Sequence, residues 1–188
     1  MRSNCSSLSG NVARKATSNM ELTKAQEAAV KKIFRWLAER DGSPMVLSGS
    51  AGTGKSTTVA HIARRITGEG RRVALCAPTN KATKVLREMS ARIGGQADCF
   101  TVHSGAGLVL LDDSEEKRTV RRGGGKMRDY DLIVVDEASM VGGNLFAQIQ
   151  ASVRETQTPV LYVGDPLQLL PVKDGGHVAF SLENRAHL

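Results

Sequence analysis

Apolar positions along this chain change period several times, and each change marks an element. Ala29, Val30, Ile33 and Leu37 recur at steps of three and four, which predicts a helix capped at Thr23 and ending near Asp41-Gly42. Pro44-Met45-Val46-Leu47-Ser48 is then a short apolar run suited to a buried strand, followed by a glycine-rich segment over 49–54 and a second helix through about Thr67. Val73 to Ala77 reads as a strand and Lys81 to Arg92 as a helix. Leu132 to Val135 is again a strand, Val141, Leu145, Ile149 and Val153 mark one helix face, and Val160 to Val163 is a further strand. Strands alternating with helices predict an α/β fold: a parallel sheet with right-handed crossovers and helices on both faces. Residues 105–130 break the rhythm. Leu108 to Leu111 reads as a strand, Asp112-Asp113-Ser114 as a turn and Lys117 to Arg122 as a return strand, together a small β-hairpin insertion. There is no internal repeat.

Composition narrows the class. A length of 188 residues fits one domain, and 40% hydrophobic residues suffice for a real core. Aromatics are only 4%, so the core is Val, Leu, Ile and Ala, the usual filling of a covered parallel sheet. No apolar run approaches the roughly 18 residues that a membrane span needs. The net charge of +7 points to an anionic partner, nucleic acid being the commonest. Cys5, Cys76 and Cys99 sit at neither metal-ligand nor redox spacing and read as idle thiols.

The chemistry concentrates first at Gly49-Ser50-Ala51-Gly52-Thr53-Gly54-Lys55-Ser56, a full G-x-x-x-x-G-K-[ST] between a predicted strand and a predicted helix. Glycines let backbone N–H groups converge on phosphate oxygens, and the helix N-terminus adds positive potential. Lys55 would reach the β- and γ-phosphates, and the Ser56 hydroxyl would ligate Mg²⁺. Asp136 and Glu137 close the apolar run 132–135. In a parallel sheet both this end and the phosphate loop lie at the carboxyl edge, where ligands bind. Asp136 can then join the Mg²⁺ shell, and Glu137 can orient or deprotonate the attacking water.

Six ordered segments carry a family likeness: Leu22 to Gln26, GSAGTGKST at 49–57, APTNKAT at 77–83, Thr101-Val102-His103-Ser104, VVDEAS at 134–139 and GDPLQLLPV at 164–172. Together they resemble the first motor domain of superfamily 1 DNA helicases of the RecD/Dda-like 5′→3′ subclass, over roughly 20–172. The resemblance implies a RecA-like P-loop fold, ATP and Mg²⁺ as cofactors, and single-stranded DNA as partner. It implies a nucleotide site of Gln26, Gly49 to Ser56 and Thr57, with Lys55, Glu137 and Gln168 catalytic and Ser56 and Asp136 on the metal. Gln26 would read the adenine edge, although Thr23-x-x-Gln26 is also a capping box, and both readings stand at this point. Gln168 would sense the γ-phosphate, and Asp165 would be a structural or coupling acid. DNA contacts are implied at Pro78, Thr79, Asn80 and Lys81 and at Thr101, His103 and Ser104, against the alternative that Thr79 or Asn80 merely caps a helix. The segment 105–130 occupies the place of a duplex-splitting hairpin whose basic strand, with Arg121 and Arg122, would face phosphates. No aromatic lies between Phe100 and Tyr130, so base stacking there is not expected.

The implied organisation is a leader over 1–19, a RecA-like domain over 20–180 and, at 181–188, the start of a linker toward an absent second RecA-like domain. The leader is Ser-rich, carries Arg2, Arg14 and Lys15, lacks acids and is expected to be disordered; Met20 is a candidate true start. Organelle targeting is the lesser reading of that composition, a cytoplasmic protein the main one. Nothing after Val172 resembles the later helicase motifs, so a truncated motor without unwinding competence is expected. Two alternatives stay open: a self-sufficient single-domain PhoH-like ATPase, and a non-catalytic nucleic-acid-binding module.

Overall fold

The computed structural model describes residues 21–39, 41–92, 96–113, 116–121, 125–168 and 178–188. The proposed leader, Arg122 and residues 169–172 of the GDPLQLLPV segment lie outside them. Six strands form one parallel sheet: β1 (Met45–Ser48), β2 (Val73–Ala77), β3 (Asp98–Thr101), β6 (Leu132–Val135), β7 (Val160–Gly164) and β8 (Arg185–His187). Their order is β3-β2-β6-β7-β1-β8. A separate antiparallel hairpin consists of β4 (Leu108–Asp113) and β5 (Glu116–Arg121). The helices are α1 (Lys24–Glu39), α2 (Lys55–Gly68), α3 (Asn80–Arg92), a single turn α4 (Val102–Ala106) and α5 (Gly143–Val153).

Strand periodicity decides how the core divides. Met45, Leu47, Val73, Leu75, Leu132, Val134, Leu161 and Val163 point to one face and meet α1, α2 and α3. Val46, Ala74, Cys76, Ile133, Val135, Val160 and Tyr162 point to the other and meet α4 and α5. Every residue of the four central strands is buried, because helices cover both faces. On α1, Ala29, Val30, Ile33, Trp36 and Leu37 form the buried stripe, and Trp36 Nε1 donates to the Ser43 carbonyl at 2.9 Å.

The expected strands and long helices are present, as is the hairpin. Of the strands and α-helices named above, three were not foreseen. β3 is an edge strand of mixed character that only pairing with β2 orders, register Ala74↔Asp98 to Ala77↔Thr101. α4 is one turn, closed by Gly107 at φ 70. Residues 185–187, read as the start of a linker, instead form β8 beside β1, register Val46↔Arg185 to Ser48↔His187. In β8 only Ala186 is buried, so the strand has no hydrophobic signature of its own.

Candidate functional site

The parallel order brings the carboxyl ends of β1, β6 and β7 to one edge, and each carries a candidate residue. After β1 the chain enters the glycine loop. Gly52 and Gly54 lie at φ 80 and φ 84, left-handed conformations that turn successive N–H groups inward. Gly54 is the N-cap of α2, so the loop discharges into a helix N-terminus. The loop is anchored at its start by Gly49 N donating to the Gly164 carbonyl of β7 at 3.2 Å. Within it, Thr53 Oγ1 donates to the Ser50 carbonyl at 2.8 Å. Lys55 Nζ donates to the carbonyls of Gly49 and Ser50 at 2.6 and 2.9 Å, so its ammonium already sits across the mouth of the loop. Ala51, Gly52 and Ser56 are exposed, and Thr57 is partly so.

After β6 come the two acids. Asp136 N donates to the Cys76 carbonyl at 2.8 Å, and Asp136 Oδ1 accepts from Glu137 N at 2.9 Å. Burial pushes the Asp136 carboxyl above the ordinary range, opposed by the Glu137 N–H and by the Lys55 charge. Glu137 is also shifted upward, first by burial and then by the Asp136 charge. Glu137 adopts φ 52, ψ 42, a left-handed conformation costly for a side-chain-bearing residue and characteristic of functional turns. The donor set fits Mg²⁺, which uses one or two carboxylates and completes its shell with phosphate and water. Asp136 is a partly buried carboxylate beside the Lys55 charge, and Ser56 lies in the first turn of α2.

After β7, Asp165 is buried and its Oδ1 accepts from Leu167 N at 2.9 Å. This turn carries Gln168, whose Oε1 accepts from Ser139 Oγ at 3.3 Å. The segments 134–139 and 164–168 are therefore joined by a direct side-chain contact.

The nucleic-acid candidates follow the neighbouring strands β2 and β3. Thr79 Oγ1 accepts from Ala82 N at 3.1 Å and thus caps α3, as the structural alternative foresaw. Pro78 is partly exposed, and Asn80 and Lys81 are exposed beside it. Thr101 caps α4 by accepting from Ser104 N at 3.2 Å. Ser104 is exposed, while His103 is half-buried, and burial lowers its pKa. The two groups are adjacent because β2 pairs with β3. β6 lies on the other side of β2, so a groove of about 250 Å³ joins Thr79, Lys81, Ala82 and Val85 to Asp136 and Glu137. The register of the hairpin sets Asp112 opposite Lys117 and Leu108 opposite Arg121. Arg128, one of the basic residues following it, is paired with Glu155 of the α5 side at 3.6 Å.

Sequence reasoning missed one feature beside the loop. Ser48, the last residue of β1, is buried and shares a 2.5 Å hydrogen bond with His187 Nδ1, and Leu188 N donates to the Ser48 carbonyl at 2.9 Å. β8 therefore braces the entry to the glycine loop. No local signal pointed there, because the contact spans 139 residues.

Residues 21–187 match the family described as AAA domain. The ATP-dependent RecD2 DNA helicase of Deinococcus radiodurans is 36% identical over 157 residues, 79% of this chain and 20% of that protein. The RecBCD enzyme subunit RecD of Mycolicibacterium smegmatis is 34% identical over 152 residues, 73% of this chain and 27% of that protein. Among solved structures, the Pif1 helicase from Candida albicans superposes with a TM-score of 0.58 at 22% identity, covering 90% of this chain and 40% of that one. The chain thus spans only about a fifth to just over a quarter of the length of these two relatives. No helix among the described residues is long and apolar enough to cross a membrane.

Proposed function

The chain belongs to the AAA domain family and is a RecD- and Pif1-like superfamily 1 motor domain with a RecA-like fold, and we propose that it binds Mg·ATP at the 49–57 loop and single-stranded DNA across the ends of β2 and β3. In this reading the loop N–H groups and Lys55 hold the β- and γ-phosphates. Ser56 and Asp136 hold Mg²⁺, which would supply charge neutralisation at the phosphates. Glu137 orients the attacking water and accepts its proton as the bond between the γ-phosphorus and the ADP oxygen breaks. Gln168, linked to Ser139, monitors the γ-phosphate. Pro78 to Lys81, Thr101, His103, Ser104 and the hairpin arginines Arg121 and Arg122 meet the DNA backbone.

One observation carries the proposal: the groove shared by Thr79, Lys81, Asp136 and Glu137, which gives hydrolysis and strand binding a common wall. Duplex unwinding then requires a second RecA-like unit that brings an arginine to the γ-phosphate, a contact worth about 10³–10⁵ in rate in related phosphoryl-transfer enzymes. Titration of the 188-residue chain with a fluorescent ATP analogue and with labelled single-stranded DNA tests this. Binding of both is expected, the nucleotide lost in Lys55→Ala, with little turnover and no unwinding. Robust DNA-stimulated turnover by this chain, abolished by Lys55→Ala, would overturn the need for a second unit.

A further inference from the structure

We propose that His187 is a positioning residue for the phosphate loop, acting through Ser48, and that β8 thereby holds the loop in its triphosphate-binding shape. The proposal rests on the nucleotide site inferred above and concerns what keeps that site in register. The loop leaves the sheet through the peptide unit between Ser48 and Gly49. The carbonyl of that unit accepts from Leu188 N at 2.9 Å, and its N–H donates to the Gly164 carbonyl at 3.2 Å. One peptide is thus tied to β8 on one side and to β7 on the other. The next carbonyl, that of Gly49, is the one that Lys55 Nζ meets at 2.6 Å. Leu188 also stands against the loop itself: a Cβ on Gly49 would lie 3.0 Å from Leu188 Cβ.

The β7 side of this tie is secure, because β7 is buried throughout. β8 is held differently. It has three residues, lies at the edge of the sheet and buries Ala186 alone. Apolar burial therefore does little to keep it in place, and polar ties at its two ends do more. At its start Val46 N donates to the Asn184 carbonyl and Asn184 Nδ2 donates to Ser43 Oγ, both at 2.9 Å. At its end the register sets Ser48 beside His187, and Ser48 Oγ and His187 Nδ1 share the 2.5 Å bond. The buried Ser48 hydroxyl has only a long second contact with β8, 3.4 Å to the Ala186 carbonyl. Either form of the ring can make the short bond, since a bare Nδ1 accepts from the hydroxyl and a protonated one donates to it. Coupling of this kind is reciprocal. If a docked β8 tightens triphosphate binding, bound triphosphate must tighten the docking of β8 by the same factor.

The test is calorimetry with Mg·ATP and with inorganic tripolyphosphate on the wild-type chain, His187→Ala, Ser48→Ala, their double variant, His187→Asn, Asn184→Ala and Lys55→Ala. His187→Ala and Ser48→Ala are each expected to weaken both ligands about fivefold, within the worth of one hydrogen bond, and the double variant no more than either alone. His187→Asn, whose amide oxygen can stand in for Nδ1, is expected to restore affinity to within about twofold. Asn184→Ala loosens the far end of the same strand, and is expected to lower stability by Trp36 fluorescence while changing affinity less than about twofold. Saturating tripolyphosphate is expected to slow hydrogen exchange of the wild-type Leu188 amide about fivefold or more, read by nuclear magnetic resonance. Unchanged affinity in His187→Ala, losses that add in the double variant, or an asparagine variant no better than alanine would overturn the proposal. So would Leu188 exchange indifferent to the ligand, and so would an equal loss in Asn184→Ala, which would trace the effect to general loosening of the strand. If His187→Ala fails to fold, His187→Gln, which carries its amide to the place of Nε2 instead, takes its place. Binding that survives Lys55→Ala would instead refute the nucleotide site itself, a separate outcome.

Discussion

Replacing Glu137 by glycine should yield a protein that is more stable and catalytically dead. Glu137 sits at φ 52, ψ 42, where β6 turns into a short 3-10 turn at Ala138–Met140. For a residue with a Cβ this conformation costs about 1–2 kcal/mol, and glycine gives back about 0.5–1 kcal/mol through its freer unfolded chain. The net advantage of glycine over alanine at this position is therefore about 0.5–1 kcal/mol, or about 1–4 °C in Tm for a chain of this size. Both local hydrogen bonds survive the change because they are main-chain on the Glu137 side: Glu137 N to Asp136 Oδ1, and Met140 N to the Glu137 carbonyl, each 2.9 Å. Charge is the second component. Burial and the Asp136 carboxylate raise the Glu137 pKa, so its ionised form opposes folding as pH rises from the ordinary glutamate range. Glu137→Ala and Glu137→Gly share that relief, and only glycine removes the backbone strain. Urea unfolding followed by Trp36 fluorescence at pH 7 and pH 4 separates the two terms. At pH 7 the order should be wild type, then Glu137→Ala, then Glu137→Gly. At pH 4 the gap between the two variants should persist while the gain over wild type shrinks. A glycine variant no more stable than the alanine variant, or a gap that closes at pH 4, would refute the strain argument.

Three further outcomes follow from the same site. Gly54→Ala should destabilise the chain by about 2–3 kcal/mol, from the left-handed φ and the collision with Gln26, and by about 1 kcal/mol less in a Gln26→Ala background, a double-mutant cycle read by denaturant midpoints. Asp136→Asn should stabilise the nucleotide-free protein at pH 7. Its folded pKa is raised mainly by burial, so the wild-type side chain loses stability as pH rises through that value, and the gain should vanish below about pH 4; a gain largest in acid would contradict this. Thr79→Ala should cost about 1 kcal/mol by uncapping α3 and should weaken single-stranded DNA binding together with stability; intact stability would mean that the observed cap is energetically idle.

Much of the architecture was legible from local pattern. β1, β2, β6 and β7 are buried on both faces, so each is a continuous apolar run that stands out in sequence. The glycine loop was legible because its residues act on one another over a few positions. β3 and β8 were not, since Asp98-Cys99-Phe100-Thr101 and Arg185-Ala186-His187 become strands only by pairing with β2 and β1. For Gln26 the capping box was legible because it lies within four residues, whereas the contact of its amide with the Thr53 carbonyl spans 27 and was not.

The amino-acid sequence by itself determined the elements, the phosphate-binding loop and the pair of acids at a strand end, because helix and strand periods, glycine conformations and short turns are interactions among near neighbours. Only the tertiary structure decided strand order, and with it which residues share a wall. β6 lies between β2 and β7, so Asp136 and Glu137 meet Thr79 and Lys81 in one groove, and Ser139 meets Gln168. Strand order follows from burying both faces of a whole sheet at once, a condition that no single segment of sequence expresses.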